Sequence, residues 1–125
     1  MKTILVADDN AVSRELVREA LEQIGYRVVE AADGREALAK ALESAPDLAL
    51  LDIRMPVLDG YATVRAIRDD PRLAAIPVLA LTAFAMRGDA EKAAAAGFNG
   101  YLTKPIGVAA LRAAVESGIK KGSDG

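Results

Sequence analysis

The sequence predicts an α/β fold, a doubly wound parallel sheet built from five strand–helix units. Three observations predict it. Short apolar runs recur five times, each bounded by turn residues. A helix-period stretch follows each run. The connections between them are short, and such alternation implies a parallel sheet with helices covering both faces.

Lys2-Thr3-Ile4-Leu5-Val6-Ala7 is the first strand, ending in Asp8-Asp9-Asn10. The helix after it has Val12, Leu16, Leu21 and Ile24 on one face, expected to be the buried one, and Gly25 stops it. Tyr26 to Ala31 is the second strand. Asp33-Gly34-Arg35-Glu36 has the form of a capping box. Ala37, Leu38, Ala41 and Leu42 carry the helix it opens, which stops before Pro46. The third strand runs from about Asp47 to Leu51, and its apolar run ends in Asp52. Val57-Leu58-Asp59-Gly60 is a turn; the next helix points Val64 and Ile67 inward and ends near Asp69-Asp70-Pro71. Ile76 to Leu81 is the fourth strand, closed by Thr82. The alanine-rich stretch from about Arg87 to Ala96 has high helix propensity, with Gly97 as its stop. Phe98 to Thr103 is a short fifth strand. Lys104-Pro105 leads into a last helix with Val108, Leu111, Val115 and Ile119 on one face. One domain is expected over residues 1–119, with a polar, frayed tail at 120–125.

Composition narrows the chemistry. A chain of 125 residues suits one domain. Hydrophobic residues make up 52%, which argues against disorder. The net charge is -2 with no basic run, so no nucleic-acid partner is expected. No apolar run is long enough for a bilayer and no signal peptide opens the chain, so no membrane partner is expected either. A cytoplasmic location fits the lack of cysteine. The chain also has no histidine. That removes Ser-His-Asp triads, thiol nucleophiles, imidazole or thiolate metal sites, and phosphohistidine chemistry within the chain. A bound metal needs oxygen ligands, which favours Mg²⁺, Ca²⁺ or Mn²⁺.

Ligands of such sheets bind outside the carboxyl ends of the strands. Asp8 and Asp9 follow the first strand, Asp52 the third, Thr82 the fourth and Lys104 the fifth. Each has a plain structural reading. Asp8 or Asp9 could cap a helix, although Asn10 could do that work. Thr82 could be a cap, Lys104 a solvated charge and Pro105 a first helical residue. Asp52 resists such a reading, because no helix starts immediately after it. Taken together, three converging carboxylates repel; two charges ~4 Å apart cost about 4 kcal/mol at an effective dielectric near 20. A divalent cation held by carboxylates and waters relieves this, and Mg²⁺ suits so incomplete a cage. A metal, a lysine and a hydroxyl around one carboxylate make a site for a transferring phosphoryl group, with aspartate as acceptor.

Ala7-Asp8-Asp9-Asn10, Leu51-Asp52-Ile53-Arg54-Met55-Pro56, Asp59-Gly60, Leu81-Thr82-Ala83 and Lys104-Pro105, in this order and spacing, closely resemble the receiver domain of two-component response regulators. The resemblance runs from Ile4 to about Val115. It implies a CheY-like, flavodoxin-like (βα)5 sheet in strand order 2-1-3-4-5. It implies Asp52 as phosphoacceptor. Asp9, Asp52 and the Arg54 backbone carbonyl would hold Mg²⁺, or Mn²⁺ in its place, with Asp8 acting through water. Thr82 and Lys104 would bind the phosphoryl group, Ala83 would leave it an approach path, and Tyr101 would be the switch aromatic. The Lys104–Pro105 bond would be cis. The stretches Leu81 to Asp89 and Gly100 to Ile106 are similar to single-domain regulators of the DivK type and to receivers attached to hybrid kinases.

The implied donor is a phosphohistidine on a histidine kinase or histidine phosphotransfer protein. The implied output is a protein contact, to an effector or a kinase, on the surface made by the fourth helix, fifth strand and fifth helix. The chain would be a switch rather than an enzyme. Arg54 and Phe84 offer no carboxylate or amide to position a water, so slow loss of the phosphoryl group is expected. A receiver cut from a hybrid kinase or larger regulator is the alternative. A haloacid-dehalogenase-type hydrolase needs a second acid where Arg54 stands, a flavodoxin-like electron carrier needs a phosphate loop where Asp8-Asp9-Asn10 stands, and an inert acidic pocket would lack Asp52.

Overall fold

The computed structural model describes residues 1–83 and 88–124. Five parallel strands alternate with five helices: β1 (Thr3–Ala7), α1 (Ala11–Glu22), β2 (Arg27–Ala31), α2 (Gly34–Ser44), β3 (Leu48–Asp52), α3 (Gly60–Asp69), β4 (Val78–Thr82), α4 (Asp89–Ala96), β5 (Gly100–Thr103) and α5 (Val108–Asp124). The sheet order is β2-β1-β3-β4-β5, the order that the resemblance implies.

Period-two packing makes two cores. Ile4, Val6, Leu48, Leu50, Leu79 and Leu81 pack with Val17, Leu21, Leu111 and Val115 of α1 and α5. Leu5, Ala7, Ala49, Leu51, Val78 and Ala80 face the other way, against Ala37, Ala41, Val64, Ile67, Ala93 and Ala96 of α2, α3 and α4. Every residue of β3 and β4 is buried, which is why those strands read as solid apolar runs.

Helix ends follow side-chain chemistry. The Asp33 carboxylate accepts the Glu36 N–H at 2.8 Å and opens α2. Gly97 closes α4 at φ 119, a backbone region that favours glycine.

One expectation changes. On α1, Val17, Ala20 and Leu21 are buried, while Val12 is 68% and Leu16 62% exposed. Ile24 also faces outward. The helix carries two neighbouring apolar stripes, and the one containing small Ala20 lies against the sheet; periodicity alone ranks neither above the other. At the other end, α5 is described as far as Asp124. No proline interrupts it, and Lys120 and Lys121 are good helix formers. Among the described residues no helix is long and apolar enough to cross a membrane.

Candidate functional site

Strand register explains why distant residues meet. Ala7 lies beside Leu51 across the β1–β3 ladder, so Asp8 is level with Asp52, the last residue of β3. Thr82 closes β4 beside Thr103, and Lys104 comes next. β5 lies two strand spacings, about 10 Å, from β3 and three, about 14 Å, from β1, and the lysine stem reaches back towards both. Lys104 Nζ donates to Asp8 Oδ2 at 2.7 Å and to Asp52 Oδ2 at 2.9 Å.

Local backbone contacts aim these groups. The Asp8 N–H donates to the Ala31 carbonyl at 3.1 Å. Asp8 Oδ1 accepts the Asn10 N–H at 2.9 Å, and Asn10 caps α1 by accepting the Ser13 N–H at 3.0 Å. Asn10 therefore does the capping, and neither Asp8 nor Asp9 is needed for it. Asp52 Oδ1 accepts the Arg54 N–H at 3.0 Å. Asp59 caps α3. Beside it, Gly60 is forced: a Cβ there would sit 2.6 Å from the Asp52 carbonyl oxygen and 2.7 Å from Ile53 Cα. The plain readings of Thr82 and Pro105 do not apply, since α4 and α5 begin several residues later, at Asp89 and Val108.

Charge is unbalanced here. One carboxylate oxygen each from Asp8, Asp9 and Asp52 lies within 4.8 Å of the others. Asp8 is fully buried and Asp52 nearly so, while Asp9 is exposed. Burial pushes Asp52 above the ordinary carboxylate range, and its hydrogen bond to Lys104 offsets this only in part. Burial pushes Asp8 the same way, yet the Lys104 ammonium and the Asn10 N–H prevail and hold it below that range. Burial alone would lower Lys104; the two carboxylates raise it instead. Lys104 thus bonds two of the three carboxyl groups. An all-oxygen donor set of three carboxylates fits a hard divalent cation such as Mg²⁺.

Residues 4–116 match the family model of the response regulator receiver domain. The chain belongs to this family of receiver domains. It is 40% identical to the polar-differentiation response regulator DivK of Brucella anthropi over 107 residues, 86% of this chain and 87% of that one. Among solved structures, the Vibrio cholerae chemotaxis protein CheY4 superposes with a TM-score of 0.89 at 35% identity, covering 94% of this chain and 98% of that one. The receiver domain of the Pseudomonas aeruginosa sensor histidine kinase PA1611 superposes at 0.88 with 39% identity, covering 95% and 98%. That structure has a magnesium ion coordinated in the active-site cleft.

In this receiver Asp8, Asp9, Asp52 and Lys104 come together in one well. Thr82 is buried at its edge, and its carbonyl accepts the Lys104 N–H at 2.7 Å. The Lys104–Pro105 peptide bond is cis. Ala83 and Lys104 line a cavity of about 560 Å³ whose other walls include Val12, Leu16, Pro105 and Ile106. Arg54 is exposed two residues past Asp52. Tyr101 stands apart from the acids, 39% exposed on β5. Phe84 lies outside the described residues. Sequence patterning missed Arg14 and Glu30, which flank the first loop. A lone arginine one turn into a helix gives no signal until β2 is seen beside it.

Proposed function

We propose that Asp52 accepts a phosphoryl group from a phosphohistidine on a histidine kinase or histidine phosphotransfer protein. The observation that carries this is the buried Asp52 carboxylate set between Asp8 and a lysine 2.9 Å away, in a receiver with a third acid at hand. The P–N bond of the donor breaks, an Asp52 Oδ–P bond forms, and the imidazole leaves with the electron pair. Burial favours the acceptor reading, because it keeps competing water from a carboxylate that must act as nucleophile.

Asp9, Asp52 and the Arg54 carbonyl would hold Mg²⁺, or Mn²⁺, with Asp8 acting through water; the ion supplies positive charge to the phosphoryl oxygens. Lys104 is released from its carboxylates to pair with the new group, and Thr82 donates its hydroxyl to it. Ala83 leaves the approach open. Tyr101 turns inward as Thr82 moves, and the α4-β5-α5 surface changes for a downstream protein effector or kinase. The chain acts as a cytoplasmic switch that assists only its own phosphorylation and dephosphorylation. Arg54 and Phe84 offer no carboxylate or amide to position an attacking water, so the product is long-lived.

The donor is a protein because the well opens beside apolar surface. Val12 and Leu16 are exposed on α1, next to Pro105 and Ile106. A small phosphate ester gains nothing from such a rim, whereas a helical partner covers it. A second reading, a receiver working within a hybrid kinase, draws on the 39% identity to the sensor-kinase receiver.

Incubation with acetyl phosphate and Mg²⁺ tests the acceptor. Wild type gains one phosphoryl group by intact mass and Asp52→Asn gains none. Equal labelling of both would refute the assignment.

A further inference from the structure

We infer that Arg14, braced by Glu30, is a positioning residue for the cation site and sets the aim of Asp9. The inference rests on the metal-assisted reading above. Arg14 lies in the first turns of α1 and folds back over the end of β1. Its Nη1 donates to the Asp8 carbonyl oxygen at 2.7 Å, and its Nε donates to Glu30 Oε1 at 3.1 Å. Glu30, from β2, gives its second oxygen to Arg18 Nη1 at 2.7 Å. The guanidinium is a planar fork with its donors at set angles. Anchoring Nε on Glu30 therefore dictates where Nη1 points.

The peptide group is planar, so the Asp8 carbonyl and the Asp9 N–H move as one unit. The Asp8 N–H is tied to Ala31 on one side of that residue, and the Asp8 carbonyl to Arg14 on the other. Together these ties place Asp9 Cα. The other two acids have side-chain holds of their own, Asp8 from Asn10 and Lys104, Asp52 from Arg54 and Lys104. Asp9 is exposed, and among the described residues no hydrogen bond or ion pair holds its carboxylate. Its direction comes from the backbone.

Charge makes the sign of the test decisive. Arg14 is a cation beside a site that takes another cation. Acting by charge alone, it opposes Mg²⁺, and its removal tightens binding. Acting by position, it supports Mg²⁺, and its removal weakens binding despite the relieved repulsion.

Titration calorimetry with Mg²⁺ and electron paramagnetic resonance with Mn²⁺ read the affinity directly, with circular dichroism to check folding. Arg14→Met is expected to bind about tenfold more weakly than wild type, the low end for partners that orient metal ligands. Arg14→Lys keeps the charge but loses the fork and falls between the two. Glu30→Gln is expected to weaken binding in the wild-type background and to add nothing to Arg14→Met, because the brace acts only through Arg14. Unchanged or tighter binding by a folded Arg14→Met overturns the inference. Should that variant not fold, wild-type affinity in Arg14→Lys overturns it. A wild type that binds neither ion overturns the cation reading, and this inference with it.

Discussion

Replacing Lys104 by methionine tests how the well is held together. The ammonium lies 2.7 Å from Asp8 and 2.9 Å from Asp52, and both carboxylates are almost wholly buried. At an effective dielectric near 20, each contact carries about 6 kcal/mol of attraction, and the two carboxylates left within 4.8 Å repel by about 3 kcal/mol. The full loss is never reached, because proton uptake intervenes. Asp52, already raised by burial, takes a proton and removes one of the stranded charges. The net cost is that of breaking a buried pair, about 3 kcal/mol, or about 10 °C in Tm for a domain of this size. Mg²⁺ should then repair the variant, since a cation no longer shares Asp8 and Asp52 with the lysine ammonium. Tenfold tighter binding adds about 1.4 kcal/mol at saturating Mg²⁺. Urea denaturation with EDTA and with Mg²⁺ measures both effects. An EDTA midpoint equal to wild type, or a Mg²⁺ increment no larger than that of wild type, would refute the electrostatic account of the well.

Three further outcomes are expected. Leu16→Glu leaves stability within about 0.5 kcal/mol, because Leu16 is 62% exposed. It slows phosphoryl transfer from a histidine donor protein about tenfold while acetyl phosphate labelling is untouched; parallel loss in both assays would count against a protein-covered rim. Val57 sits at φ 69, a region hostile to β-branched residues, and is exposed. Val57→Asn should therefore stabilise by about 1 kcal/mol in urea titrations, and a lowered midpoint would show that no strain resides there. Burial pushes Glu30 up, but its bonds to Arg18 and Arg14 more than offset this and hold it below its ordinary 4.5. Its contribution is therefore complete above that value and fades as pH falls through the lower folded one. The stability gap between wild type and Glu30→Gln should narrow in acid; a gap constant from neutral to strongly acid pH would contradict the pairing.

The sheet was legible because burial on both faces leaves no room for ambiguity. Leu48 to Leu51 and Val78 to Leu81 are solid apolar runs, and both lie wholly inside the observed strands. The acids were legible for a related reason: a charge that ends a buried strand needs a partner, and registry brought those partners to one place. Strand ends follow the hydrogen-bond ladder rather than the apolar run. β3 is expected from the sequence to stop at Leu51, yet it takes in Asp52, so that carboxylate is carried by the sheet rather than by the loop. Arg14 was illegible because its role depends on β2, a strand it neither adjoins in sequence nor matches in pattern.

The misreading of α1 has a physical cause that bears on function. A helix that must both cover a sheet and meet a partner carries apolar residues on more than one face, and the two demands share the same 3.6-residue period. Val17, Ala20 and Leu21 meet the first demand. Val12 and Leu16, one turn apart, remain exposed beside a cavity that they share with Ala83 and Lys104. Burying those two side chains inside the fold would have gained about 1.5–3 kcal/mol each. Ala20, in the buried stripe, lets α1 approach the sheet closely, and the larger pair is left at the rim. The short helix thus carries an inward set, Val17, Ala20 and Leu21, against the sheet, and an outward apolar pair, Val12 and Leu16, beside the acid well, where the proposed donor protein would cover it.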